Sequence, residues 1–326
     1  MSLTIVVVAD PLHTLDAAHD STVALMEAAQ ERGDRILTTT AAELRLRGHR
    51  CWARCRPVRL RPATLEDGRW RAPSPWFEAG PDLDVLLDEA DVVMMRTDPP
   101  VDDAYLRATY LLDQVDPGRV LMVNDPTGLR EANEKLFTLR FPELVPDTLV
   151  SADVAEIVAT VRSWGRAVLK PTDAMAGRGI MMLRPDDPNL VSIVESGTRR
   201  GHVQVIVQAY VAEAALGDRR VVVVDGEPVG AVRRVASPGE FRCNMAAGAA
   251  VVADTVTAQD KEMCHVLAPE LQRLGIRLAG IDVIGTRLTE VNVTSPTGLR
   301  EIDALTGSRL PVTVMERFAR IAGSAS

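Results

Sequence analysis

Lysine is nearly missing from this chain: Lys135, Lys170 and Lys261 are the only ones among 37 basic residues. Where almost every cation is arginine, a retained lysine points to a position that needs a compact ammonium rather than a planar fork. Two of the three fall in motifs described below, and Lys261 fits an ordinary surface position. Cysteine is sparse too, at Cys51, Cys55, Cys243 and Cys264. Only the first two are close, and a C-x₃-C without a companion pair or neighbouring histidines supports neither a disulfide framework nor a zinc site. Basic charge is not in excess. The formal net charge of −8 argues against nucleic acid as a partner, since phosphate binding needs a concentrated basic face. No apolar run approaches the length of a membrane span, and the opening MSLTIVVVADP turns acidic too soon for a signal peptide, so no membrane partner and a cytoplasmic location are expected. Internal repeats and low-complexity tracts are absent, as is any Ser-His-Asp or Cys-His nucleophilic set.

What is present is an ordinary globular composition, 46% hydrophobic and 25% charged, over 326 residues. That length suggests about two domains. Leu3 to Val8 reads as a buried strand ending at Asp10-Pro11, and Asp20-Ser21-Thr22 offers N-caps for a helix that runs to Glu31 and stops at Gly33. Arg35 to Trp52 reads as helix-like and Arg54 to Arg71 as short exposed strands. A second buried strand, Asp91 to Met95, ends in Arg96-Thr97-Asp98-Pro99-Pro100. Ligands of open α/β sheets bind beyond the carboxyl ends of strands, so Asp10 and Arg96 are either neighbours on one ligand-binding rim or loop residues that simply end their strands. Tyr105 to Gln114 reads as a helix and Val120 to Val123 as a strand, closing a first domain.

Glu131 to Phe141 reads as a helix carrying Lys135, and Ala152 to Ser163 as another. AVLKPTDAMAGRGIMML, residues 167–183, is a strand, a loop and a strand. Lys170 ends the first strand, and Gly177 and Gly179 could cradle phosphate with backbone amides or form a plain β-turn. Val203 to Tyr210 and Arg219 to Val224 are further strands, the second turning at Asp225-Gly226. Arg233 to Val252, with Arg234, Arg242 and Asn244, reads as a loop. Helices are expected over Thr257 to Leu274 and Val312 to Ile321.

Between the last two helices lies AGIDVIGTRLTEVNVTSPTGLRE, residues 279–301, which reads as a β-hairpin turning at Gly285-Thr286. Side chains alternate faces along a strand, so Glu290 and Asn292 point the same way. A two-residue loop would put Asp282 opposite Thr289; a three-residue loop of Gly285, Thr286 and Arg287 puts it opposite Glu290, and that loop is expected here. Two carboxylates and an amide oxygen gathered on one face suit Mg²⁺, the other reading of this stretch being a pair of solvated acids on an exposed sheet face.

These pieces closely resemble prokaryotic glutathione synthetase, an ATP-grasp family, over nearly the whole chain in order. NEKLF at 133–137 and RLTEVNVTSPT at 287–297 are the specific signatures, joined by Asp10-Pro11, Asp20-Ser21, Met95-Arg96, Leu169-Lys170-Pro171, Asp218-Arg219-Arg220-Val221 and Gly280-Ile281-Asp282. The resemblance implies an α/β ATP-grasp fold: an N-terminal α/β (pre-ATP-grasp) domain over 1–123, a small lid over 124–202, and a C-terminal antiparallel α+β catalytic domain over 203–326. It implies that Lys135, Lys170, Gly177 and Gly179 meet the ATP phosphates, and that Gln208, Tyr210 and Val211 form the adenine hinge. Asp282, Glu290 and Asn292 would hold two Mg²⁺, with Mn²⁺ as a substitute. Arg220, Arg234 and Asn244 would serve the reaction centre, and Arg96, Asp218, Ser295 and Thr297 the substrate. The implied reaction joins a γ-glutamylcysteine-like carboxylate to a glycine-like amine through an acyl phosphate, in a homo-oligomer.

That chemistry accounts for the residue types: magnesium, lysine and arginine offset charge on the transferring phosphoryl group, and no protein nucleophile is required. Some residues depart from the resemblance. Ala174 and Ala176 stand where the family commonly has glycine, Thr97 where lysine is frequent, Cys243 where glycine is usual, and Ala250 where a basic residue is often seen. The last two lie on the side expected to receive the amine, so a related ligase with another acceptor or acyl donor is the alternative reading.

Overall fold

The computed structural model describes residues 2–175, 177–243 and 248–324. The first ten strands are β1 (Thr4–Val8), β2 (Arg35–Thr39), β3 (Leu44–Arg47), β4 (Arg50–Leu60), β5 (Thr64–Glu66), β6 (Arg69–Arg71), β7 (Phe77–Ala79), β8 (Leu83–Leu86), β9 (Val92–Met95) and β10 (Leu121–Val123). Their main sheet runs β10-β9-β1-β2-β4-β3, with β7 and β8 also on β4. The β10-β9-β1-β2 stretch is parallel and covered on both faces, which explains its unbroken apolar runs. Helices α1 (Ser21–Glu31), α2 (Asp103–Leu112) and α3 (Pro126–Glu131) belong to this unit. Asp20 caps α1 by accepting from the amides of Thr22 and Val23.

Four strands, β11 (Thr148–Ser151), β12 (Ala167–Pro171), β13 (Met181–Leu183) and β14 (Val205–Ala209), form an antiparallel sheet in the order β11-β14-β12-β13, with α4 (Val154–Trp164) and α5 (Leu190–Gly197) against it. The last sheet is β17-β16-β15-β18-β19, built from β15 (Asp218–Val224), β16 (Glu227–Val235), β17 (Ala250–Ala253), β18 (Leu278–Ile284) and β19 (Arg287–Asn292). Helices α6 (Ala258–Arg273), α7 (Leu299–Thr306) and α8 (Leu310–Ser324) complete it, α6 opening on a Thr257–Asp260 capping box.

The apolar clusters show which parts share a core. Val6 and Met95 share a core with Leu267 and Ile281, and Leu25 and Met26 share another with Val222 and Phe318. The first and last units are therefore packed together on both faces. The middle unit has a core of its own around Ile157, Leu169, Val194 and Val207.

Several elements differ from the sequence expectation. Residues 35–52 form β2, β3 and the start of β4 rather than helix. The signal was the alternation of Cys51, Ala53 and Cys55, all fully buried on one face of β4, which good helix formers around them obscured. The expected helix over 131–141 is broken: α3 stops at Glu131, and a short 3₁₀ turn covers Leu136–Arg140. Asn133 causes the break, its side-chain oxygen taking the amides of Lys135 (3.2 Å) and Leu136 (3.0 Å). Strand β14, placed in the last unit by a boundary at 202, lies between β11 and β12 in the lid sheet. The loop expected over 233–252 is shorter, because β16 runs to Val235 and β17 begins at Ala250. Helices α5 and α7 went unread.

All four cysteines are free, and burial pushes the thiols of Cys51, Cys55 and Cys264 up to about 12. The reactive thiolate is thus scarce in the native state, and these three are expected to resist a disulfide reagent at pH 8 that labels them promptly in denaturant. A raised folded pKa stabilises the protein below the unfolded value and loses that contribution as pH rises. The urea midpoint is accordingly expected to fall between pH 9 and 12, and a flat profile there would refute it. Among the described residues no helix is long and apolar enough to cross a membrane.

Candidate active site

Strand alternation in the last sheet lines up the charged residues. Asp218 and Arg220 share one face of β15, with Arg219 on the other. Across the sheet Asp218 stands opposite Arg234 of β16, Arg220 opposite Asp282 of β18, and Asp282 opposite Glu290 of β19. Arg234 grips Asp218 with two bonds of 2.7 and 2.6 Å, and Arg220 grips Asp282 at 2.5 and 3.0 Å. Arg234 also reaches Asp282 at 3.0 Å. Gly280 leaves room for this, since a Cβ there would meet the Arg220 side chain at 3.1 Å.

The hairpin brings Asp282 opposite Glu290 as expected, by another route. Ile284 pairs with Arg287, so the loop is the two-residue Gly285-Thr286, with Gly285 at φ +58°. A bulge then supplies the extra residue: Val283 pairs with Leu288 and Asp282 with Glu290, leaving Thr289 over. Its hydroxyl donates to the Asp282 carbonyl at 3.1 Å. The expectation of a three-residue loop is therefore corrected, while the shared face of Asp282 and Glu290 stands.

The helix break at Asn133 delivers Lys135 to Glu290, with Nζ 3.2 Å from Oε1 and donating also to the carbonyl of Ala174 in the lid loop. Lys170, at the end of β12, donates to Gln208 Oε1 at 2.7 Å, and Gln208 in turn donates to Thr148 Oγ1 at 3.1 Å. One cavity is lined by Lys170, Gln208, Tyr210 and Val211 from the lid side and by Asp218, Asp282 and Glu290 from the sheet. Gly177 and Gly179 sit beside it with φ of +75° and +69°, but they do not line it. Phe241, Arg242 and Cys243 do, and the sequence reading missed them as lining residues. Arg242 Nη1 donates across to the carbonyl of Gly177 at 3.3 Å. Glu134 was also missed: its Oε1 accepts from the amides of Val293 and Thr294 and from the Thr294 hydroxyl, fixing the strand exit beside the site. Its place next to Lys135 in NEKLF was the available signal.

Burial raises the Glu290 carboxyl, and Lys135 only partly opposes it. Burial acts on Asp282 in the same direction, yet Arg220 and Arg234 outweigh it and hold that carboxyl below the ordinary range. The Lys170 ammonium is lowered by burial. Among the described residues no cluster of three His, Cys, Asp or Glu is found, so a cation would rely on two carboxylates and an amide. Asn292 donates its N–H to the Gly280 carbonyl at 3.2 Å, which leaves its side-chain oxygen for a cation. Hard oxygen donors beside a carboxylate that its neighbours leave underneutralised fit a divalent ion.

Arg96, Ser295 and Thr297 lie outside the cavity, on the rim of the first unit. They connect to it through a short segment, with Arg96 donating to Pro296 O at 3.1 Å and Arg220 to Thr297 O at 3.3 Å. Asn244 lies outside the described residues.

A separately packed four-stranded lid over an antiparallel sheet, with Lys170 facing Asp282 and Glu290 across one cavity and Lys135 paired with Glu290, defines the ATP-grasp class. Solved structures agree on the fold: the ATP-grasp ligase PsnB in complex with a precursor peptide variant, Mg and ADP matches with a TM-score of 0.62 at 16% identity over 98% of each chain. The D-cycloserine synthetase DcsG matches at 0.58 and 15% identity, over 99% of this chain and 100% of the other. The family models for the prokaryotic glutathione synthetase N-terminal and ATP-grasp domains match residues 3–130 and 134–307. Glutathione synthetase of Thermosynechococcus vestitus is 49% identical over 94% of this chain and 96% of its own, and that of Pseudomonas syringae pv. tomato 37% identical over 98% of each. The chain belongs to the prokaryotic glutathione synthetase family.

Proposed function

We propose that this protein is an ATP-dependent carboxylate-amine ligase that joins γ-glutamylcysteine to glycine with release of ADP and phosphate. The observation that carries the reading is the single cavity in which Lys170 and Gln208 of the lid face Asp218, Asp282 and Glu290 of the sheet. The names of the full-length relatives favour glycine as acceptor over the alternative of another amine.

A carboxylate is a poor electrophile. Its oxygen first attacks the γ-phosphorus of ATP and ADP leaves; the amine then attacks the acyl carbon, and phosphate leaves with its electron pair. Lys135 and Lys170 place compact ammonium groups on the transferring phosphates, with the amides around Gly177 and Gly179 above them. Arg220 and Arg234 are pinned by Asp282 and Asp218, so their charge is already oriented where negative charge develops. Gln208, Tyr210 and Val211 hold the base. Asp282, Glu290 and Asn292 would hold the divalent metal, two ions in the full reading, and the metal would supply charge neutralisation at the phosphate oxygens. Arg242, bridging from the sheet unit to Gly177, helps seat the lid and exclude water that would hydrolyse the acyl phosphate. We place the division into units at 1–123, a lid from 124 to the end of β14, and the remainder. Asn244 at the reaction centre and assembly into a homo-oligomer belong to the same reading, the latter checked by light scattering.

Phosphate release with MgATP and γ-glutamylcysteine tests it, comparing glycine with a panel of other amines. Glycine-dependent turnover is expected. Turnover only with another amine would replace the acceptor, and none with any amine would overturn the ligase reading.

A further inference from the structure

In the NEKLF signature Lys135 meets Glu290 and Asn133 ends a helix, while the chemistry above gives Glu134 no part. Its contacts supply one. Strand β19 is the last of its sheet and pairs with β18 alone, so the amides along its outer edge need partners from elsewhere. The Leu288 amide goes to the carbonyl of Leu144 at 2.8 Å. The next outward amide, that of Val291, goes to the carbonyl of Glu134 at 2.9 Å. The amides of Val293 and Thr294 then donate to Glu134 Oε1 at 3.0 and 3.2 Å, and the Thr294 hydroxyl donates to the same oxygen at 2.9 Å. One residue, through its main chain and its side chain, thus binds the edge on both sides of Asn292.

That edge carries the two β19 residues assigned to the metal. Asn292 lies between Val291 and Val293, whose amides are both held, and Glu290 precedes the first of them. Asp282 is oriented by two arginines, whereas Glu290 meets Lys135 and Asn292 donates to the Gly280 carbonyl. The placement of these two therefore depends on where the β19 backbone lies. Its inner edge is an incomplete guide, because the bulge that leaves Thr289 over interrupts the ladder to β18 one residue before Glu290. A carboxylate that accepts backbone amides makes a stronger bond than a neutral acceptor, which suits it to hold the strand from the outside. Ligand sets need placement to within about 0.5 Å, and the outer partners that secure it are typically worth about 10- to 100-fold in metal affinity.

We propose that Glu134 is a positioning residue: by bonding the outer edge of β19 around Asn292, it sets Glu290 and Asn292 as ligands of a divalent metal without being a ligand itself. The proposal rests on the metal role given to those two residues above. Glu134 also acts on Glu290 through space, so position and charge have to be told apart.

Two substitutions separate them. Glu134→Asp keeps the charge and draws the carboxylate back by one methylene; Glu134→Gln keeps the reach and an acceptor oxygen but removes the charge. Mn²⁺ binding is measured by electron paramagnetic resonance with protein in excess over ADP, and ADP binding in EDTA serves as the check on the fold. Glu134→Asp is expected to weaken Mn²⁺ roughly 10- to 100-fold, the range for an outer partner of a metal ligand. Glu134→Gln should stay within a few-fold of the wild type, and both should bind ADP in EDTA as the wild type does. Turnover of Glu134→Asp should recover as magnesium is raised, a split between metal affinity and maximal rate that a loosened fold would not produce. Wild-type Mn²⁺ affinity in Glu134→Asp would overturn the proposal. So would equal losses in the two variants, which would assign the effect to charge, or loss of ADP binding in EDTA, which would assign it to the fold. Glu290→Gln is the control: unweakened Mn²⁺ there would remove the metal assignment and this proposal with it. Turnover with an amine other than glycine would change the reaction and leave the role of Glu134 standing.

Discussion

Glu290→Gln is expected to lower turnover with MgATP, γ-glutamylcysteine and glycine by roughly 10²- to 10³-fold, the range for losing one group that stabilises the charge of a transition state. It is expected to do so without lowering the melting temperature at pH 7. The second half follows from the raised Glu290 carboxyl: burial disfavours its charged form even with Lys135 at 3.2 Å. A group whose folded pKa lies above its unfolded one contributes stability below the unfolded value and loses it as pH rises. At neutral pH the charge is a burden on the fold, and a neutral isostere removes it. Such a carboxylate is kept for function at the expense of stability. Near-normal turnover would refute its place at the phosphates, and a clear fall in melting temperature would show that the charge is structural.

Asp282→Asn is expected to show the opposite stability sign, although the two carboxylates stand directly across from each other. Arg220 and Arg234 hold Asp282 in its charged form. Removing that charge leaves two buried guanidinium groups short of a partner, a loss of about 3–5 kcal/mol. Asp218 retains Arg234 and softens the effect on that side. A lowered folded pKa gives stability that is present above the unfolded value, about 3.9, and lost as pH falls through the folded one. The wild type should therefore lose more stability than the variant when acidified from pH 5 to pH 2. Urea titration at both pH values, run on both proteins, checks the sign. Equal acid sensitivity would place the Asp282 charge outside the folding balance. Turnover should fall as far as in Glu290→Gln, because Arg220 loses the carboxylate that orients it.

The contrast between these residues shows where reading a sequence stops. Alternation in RLTEVN told that Glu290 and Asn292 share a face, and the pairing of Asp282 with Glu290 was anticipated. The bulge at Thr289 was not, since a bulge leaves no residue type of its own and depends on how a strand twists against its partners. The same limit explains residues 35–52, where local helix propensity outvoted an alternation that only the burial of Cys51, Ala53 and Cys55 makes plain. At Asn133 a single side chain diverted two amides and ended a helix that apolar spacing alone would have continued.

By itself the sequence determined the family, through NEKLF and RLTEVNVTSPT, and with it the residue types that phosphoryl transfer to a carboxylate requires. Those are local chemical necessities, written as side chains at short spacing. Only the tertiary structure decided that, among the described residues, Arg96 is the buried arginine with no carboxylate bonded to it, that Arg242 reaches Gly177, and that the lid has its own core. Each depends on contacts between segments far apart in the chain, where burial sets the value of a charge, and burial is a property of the assembled fold.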